Sequence, residues 1–212
     1  MRSRWFEPPF SGQGFATRLH DALLAMAREQ ADSPLLPAGH PIDLYVTATD
    51  FHGQREKLRL NSPPVVEESE HRLPIAFRAE TPGSSGLPLA DPLELTLAAR
   101  ATASFPGAFP PAKISEIDHL ARSHGLHWQT RDAFLTRIMP HHSRTGSVEQ
   151  VALIDGSVLV NKPFEGAMAA LHGRPAQREV DRRFVYIDPR PDRNVAGGEQ
   201  AVRPVRFFGA IL

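Results

Sequence analysis

The sequence predicts an α/β fold, a central mixed sheet flanked by helices. Three observations carry that expectation. Helix-periodic and strand-periodic segments alternate along the chain. Asp43 to Asp50 alternates residue by residue, with Leu44, Val46 and Ala48 on one side and Tyr45, Thr47 and Thr49 on the other. A short apolar run, Val151-Ala152-Leu153-Ile154, ends in Asp155-Gly156, as a buried strand does when it leaves a sheet on a glycine turn.

Residues 1–13 form an irregular lead-in around Pro8-Pro9. Residues 15–30 have helical spacing, with Leu19, Ala22, Leu23, Met26 and Ala27 on one face, and Pro34 and Pro37 close that element. After the Asp43–Asp50 strand, Phe51-His52-Gly53 begins a turn, and Leu58 and Leu60 suggest a second strand paired back onto the first. Pro63-Pro64 and Glu67, Glu68 and Glu70 read as an exposed loop, Ile75–Ala79 as a strand, and residues 81–86 as a flexible connection. The best-signalled helix starts at Asp91. Asp91 suits the N-cap, Pro92 the first helical position, and Glu94 completes a capping box; Pro106-Gly107 stops the helix. Residues 112–147 hold five histidines (119, 124, 127, 141 and 142) and read as an insertion or a mobile surface segment. Phe164 to Leu171 is a short helix with Pro163 at its first position, Arg183–Ile187 is a strand, and 189–204 turns to Pro, Arg, Gly and Asn. Residues 1–42 are thus a lead-in with one amphipathic helix, 43–188 the main domain, and 189–212 a linker or the start of a further region. The apolar ending, Phe207 to Leu212, reads as cut from something longer.

Composition narrows the function classes. At 212 residues with 41% apolar content the chain can bury a core. Acidic and basic residues balance at 24 each, so the chain has no field favouring nucleic acid. Cysteine is absent, which excludes disulfides, thiol chemistry and Cys-based zinc sites and fits a reducing cytoplasm. No apolar run of about 18 residues is present, so no membrane span is expected.

Asp155 has two readings. Asp-Gly is a turn dipeptide, and a carboxylate leaving a buried strand is also placed for chemistry at the sheet's carboxyl edge. Free Asp is a weak base near neutral pH; in an apolar closed site such a group rises and can take a serine proton as the hydroxyl attacks a carbonyl. Gly156 would let another backbone approach closely.

Three blocks carry a resemblance. Asp155, Gly156, Asn161 and Pro163, as D-G-x-x-x-x-N-x-P, resemble the aspartate block of patatin-like phospholipases. Arg100 to Pro111 resembles the small-residue helix of that family with its Pro-Gly-x-Phe-Pro-Pro stop, and Thr47-Ala48-Thr49-Asp50 with Gly53 resembles the strand before it. The order agrees, over roughly residues 43–188. The resemblance implies an α/β acyl-ester hydrolase acting on lipid or phospholipid esters through a Ser-Asp dyad, with Asp155 as general base. Gly156, Asn161 and Pro163 support the loop, and neither metal nor organic cofactor is required. It also implies a cytoplasmic protein with peripheral membrane contact.

The chain departs from the family at the Gly-rich loop and the G-x-S-x-G elbow, which occur nowhere in residues 1–42. Ser157 also stands where the family has Gly or Ala. The expectation is therefore the C-terminal part of a patatin-like domain that lacks its N-terminal strands, is inactive alone, and self-associates through an exposed sheet edge. The alternative is a non-catalytic lipid- or protein-binding module on a hydrolase scaffold. Ser104 as substitute nucleophile competes with a packing serine. His119, His124 and His127 with Asp118 as metal ligands compete with solvated faces, since they match no H-E-x-x-H spacing and Arg122 and Arg131 lie near.

Overall fold

A computed structural model describes residues 10–28, 37, 39–59, 61–80, 89–160, 163–174, 176 and 178–187. Pro8-Pro9, Pro34, Leu60, the 81–86 connection, Asn161 and the tail beyond Ile187 lie outside the described residues. The chain forms two compact units, Met1–Ala170 and Leu171–Leu212.

The first unit is built on a three-stranded sheet of β1 (Pro41–Arg59), β2 (Val65–Glu80) and β3 (Leu153–Asp155), in the order β2-β1-β3. Every neighbouring pair is antiparallel, which corrects the expected mixed sheet. The cause is topological: β3 returns beside β1 and not beside β2, so no parallel pair forms.

Alternation in β1 sets the faces. Leu44 lies opposite Phe77, Val46 opposite Ile75 and Ala48 opposite Leu73. Ile75, Phe77, Leu73 and Ala48 are all buried. Against this side pack α2 (Pro92–Thr102), through Leu93, Leu97, Ala98 and Ala101, and Phe134 of α4 (Arg131–Ile138), whose ring stacks on Phe77 at 5.9 Å. The first helix, α1 (Gly12–Arg28), docks on α2 through Ala16 and His20; Met26, expected on the buried face, is 70% exposed.

Phe51-His52-Gly53 is not a hairpin turn. Thr49 pairs with Arg72 and Gln54 with Glu70, so residues 50–53 lie opposite His71 alone, as a bulge with Gly53 at φ 70°. The strands run on past it, so Glu67, Glu68 and Glu70 lie within β2 and not in a loop. Their side chains stand in water or at its edge, where a strand needs no apolar pattern.

Residues 112–147 are a second finding against expectation. They fold into α3 (Ile114–Ser123), α4 and α5 (Pro140–Thr145) and bury Ile114, Ile117, Leu120, Leu135 and Met139 in the core. After β3, α6 (Phe164–Ala170) closes the first unit. In the second unit Arg183–Ile187 has no strand conformation and is exposed.

Among the described residues no helix is long and apolar enough to cross a membrane.

Candidate functional site

Asp155 ends β3 on the pairing Ala48–Asp155, with Leu153 fully buried two residues before it. Its N–H donates to Ser104 O at 3.1 Å, and its carbonyl accepts from Thr49 Oγ1 at 3.2 Å. The side chain is half-buried. Oδ1 accepts from Ser157 N at 2.8 Å and caps the 3-10 turn Gly156–Val158. Among the described residues Oδ2 has no hydrogen-bond partner.

Gly156 is required by close approach. A Cβ built there would overlap the carbonyl group and hydroxyl of Thr47. Gly166 in α6 does the same over the Tyr45 ring. The two glycines let the chain leaving Asp155 lie back over the Tyr45–Thr47 face of β1. Pro163 is exposed immediately before α6.

The three blocks read from the sequence meet here. Ala48–Asp50, within the Thr47–Asp50 block, is the β1 segment paired with β3. The Arg100–Pro111 block supplies the carbonyl of Ser104, and Ala112, just past it, exchanges both backbone hydrogen bonds with Leu153 at 2.7 and 2.9 Å. β3 is therefore held on both sides.

Arg100 fixes the second block. It is fully buried, and its guanidinium donates to Gly12 O (3.3 Å), Pro110 O (2.9 Å), Ser104 Oγ (2.5 Å) and both Glu116 oxygens (3.1 and 3.4 Å). It also sits 5.9 Å from the centroids of Phe15 and Phe109. Burial pushes the Arg100 guanidinium down and the Glu116 carboxyl up, each opposed by the other's charge. Ser104 is enclosed in this network: Oγ donates to Arg100 O at 2.6 Å and has no exposure. It is a packing residue whose carbonyl positions Asp155.

Of the histidines, His119 contacts Gln13 Nε2 at 2.5 Å and His124 meets His20 edge-on at 5.9 Å. Among the described residues no three His, Cys, Asp or Glu side chains converge as metal ligands. His142 is different: it is buried, with Nε2 2.9 Å from Asp50 Oδ2. That contact joins residues 92 positions apart, and nothing in the local sequence signals it.

A cavity of about 560 Å³ opens elsewhere, lined among others by Asp43, Tyr45, Phe77, Glu94, Thr130 and Arg137. Asp155 is not among its lining residues. Glu94 accepts from Thr130 Oγ1 at 2.5 Å, and burial pushes its carboxyl up. The expected capping box is thus half realised: Asp91 caps α2 by accepting from Leu93 N at 2.8 Å, and Glu94 turns to Thr130, the residue before α4.

No protein-family model, curated protein or solved structure matches this chain.

Proposed function

We propose that this chain carries the aspartate part of a patatin-like acyl-ester hydrolase acting on lipid or phospholipid esters. Asp155 is the general base, for a serine supplied from outside residues 1–212. The observation that carries this reading is the meeting of three sequence blocks at one half-buried carboxylate whose Oδ2 has no hydrogen-bond partner among the described residues. Oδ1 is held by Ser157 N, which fixes the carboxylate; Oδ2 is left to accept a serine proton. Phe105, next to Ser104, and Val158 and Leu159, just past Asp155, are 38%, 50% and 52% exposed, an apolar setting suited to an acyl chain.

The test is complementation. The chain alone hydrolyses p-nitrophenyl esters at the buffer rate. Joined to a segment bearing a Gly-rich loop and a G-x-S-x-G elbow, it turns over, and Asp155→Asn lowers that turnover by roughly 10²–10⁴-fold. Turnover indifferent to Asp155→Asn would remove Asp155 from the chemistry. Asp155-dependent turnover by the isolated chain would show that the serine lies within it.

One observation favours a second reading, a non-catalytic lipid- or protein-binding module. The bond from Ser157 N to Asp155 Oδ1 is the ordinary geometry of a structural Asp-Gly turn. Liposome sedimentation unchanged in Asp155→Ala, together with failed complementation, would support it. Either reading leaves the outer edge of β2 without a strand partner among the described residues, so concentration-dependent association in gel filtration is expected.

A further inference from the structure

The buried contact between His142 and Asp50 extends one residue further. Ser147 Oγ lies 2.8 Å from His142 Nδ1, and His142 Nε2 lies 2.9 Å from Asp50 Oδ2. The three side chains come from the end of the paired part of β1, from α5, and from the turn after α5, where Gly146 at φ 67° reverses the chain.

The direction of the hydrogen bonds follows from the acceptor at the far end. A carboxylate only accepts, so the imidazole nitrogen facing Asp50 carries the proton. In a neutral ring Nδ1 is then bare, and Ser147 must donate its hydroxyl hydrogen to it. Asp50 is itself held, with Oδ1 accepting from His52 N at 3.1 Å and its carbonyl 2.8 Å from His71 Nδ1. The arrangement is nucleophile, base and orienting acid in hydrogen-bond reach, the relation that activates a serine. Thr145 Oγ1 lies 2.8 Å from Ser147 Oγ and 3.0 Å from His141 O; when its single hydrogen is turned to Ser147, the serine hydrogen is left to His142. Asp50 and His142 are buried and Ser147 is half-buried, which places the reactive oxygen at the rim.

We propose that Ser147 is a covalent modification site, an activated nucleophile for acyl or phosphonyl electrophiles, independent of Asp155. With an activated ester, the Oγ–C bond forms and the C–O bond to the leaving alcohol breaks. The serine proton passes to His142 Nδ1 and then to the departing alkoxide, while His142 Nε2–H stays on Asp50. The backbone N–H groups of Ser147 and Gln150 already donate to His142 O and Ser147 O, and neither is available to hold an oxyanion. Both formation and hydrolysis of an acyl adduct are therefore slow, and a strong electrophile is the suitable probe.

The test uses the whole chain and an alkyl fluorophosphonate, with fluoride as leaving group, read by mass mapping of peptides. One adduct is expected, on Ser147, and none in Ser147→Ala. His142→Gln slows labelling by roughly 10²-fold or more. Asp50→Asn slows it comparably, because the amide donates to Nε2 and turns the ring's N–H toward Ser147. The adduct is located on Ser147 by mass, in a chain that the hydrolase reading holds inactive alone, so the result stands apart from that reading. An adduct confined to another serine, no adduct at all, or equal rates in wild type and a folded His142→Gln would overturn the proposal. Should the His142 and Asp50 variants fail to fold, the mapped position and its loss in Ser147→Ala decide the matter.

Discussion

Replacing Arg100 by Met should destabilise the first unit by roughly 3–5 kcal/mol near neutral pH, the usual consequence of removing one partner of a buried ion pair. The structure explains why the value belongs at that level. Arg100 has no exposure, and five donated hydrogen bonds disappear with it. Met fills much of the volume but leaves the Glu116 carboxylate, 17% exposed, without its counter-charge. Burial already pushes that carboxyl above its ordinary 4.5, and without Arg100 it moves higher still. A raised carboxyl penalises the fold above its folded pKa and is relieved as pH falls through it toward 4.5. The deficit must therefore shrink on acidification. The double variant Arg100→Met/Glu116→Leu should recover most of the loss, since a buried pair exchanged for apolar side chains is often neutral. Urea unfolding followed by far-UV circular dichroism, at neutral and mildly acidic pH, measures all three. A loss below about 1 kcal/mol, the size of one ordinary hydrogen bond, or a deficit independent of pH, would show that Glu116 is not left buried and charged.

Gly156→Ala sets a methyl group against the Thr47 backbone, which cannot rotate away, and should cost about 1–3 kcal/mol; an unchanged thermal melt would mean that the turn after β3 sits farther from β1. Asp91→Ala removes the cap on Leu93 N and should lower stability by about 1 kcal/mol, read by denaturant midpoint, whereas Asp91→Asn should retain most of it. His20 is buried, with Nε2 unpartnered among the described residues and Nδ1 3.2 Å from Thr96 Oγ1; burial, then the nearby His124, lowers its pKa below 6.5. The unfolded chain then binds the proton first, so this contribution is full above 6.5 and is lost as pH falls below it, by at most about 1.4 kcal/mol per pH unit. The difference between wild type and His20→Gln across that window isolates the effect from Glu94 and Glu116, which act in the opposite direction; a flat difference would contradict it.

Legibility in the sequence followed the range of the physics. The β1 alternation, the Asp91 cap and the burial of Val151–Leu153 are local, and each appears in the fold. The helices in 112–147 escaped because α3, α4 and α5 have 10, 8 and 6 residues, shorter than the window in which periodicity becomes distinct. The outer half of the hairpin escaped because Glu67, Glu68 and Glu70 stand on a strand with water on its sides. Glu94 had the right spacing for a cap and was drawn instead to Thr130, 36 residues away. At the site, the order of the three blocks was readable, and so was the need for glycine after Asp155. The Arg100 clamp and the His142–Asp50 contact depend on residues that only tertiary folding brings together.

The flanks of β3 restrict how a second polypeptide could deliver a hydroxyl to Asp155. One flank is β1 and the other is taken by Ala112 and Ser104, so an incoming segment cannot dock there by ladder formation. The margin without a strand partner among the described residues is that of β2, two inter-strand steps from β3, and a strand added there would lie three steps away, or roughly 14 Å at the usual spacing. A donor seated at that margin is out of proton-transfer range. On the proposed reading, a serine would reach Asp155 end-on, past the tip of β3, and a strand added at the β2 margin would leave that approach open.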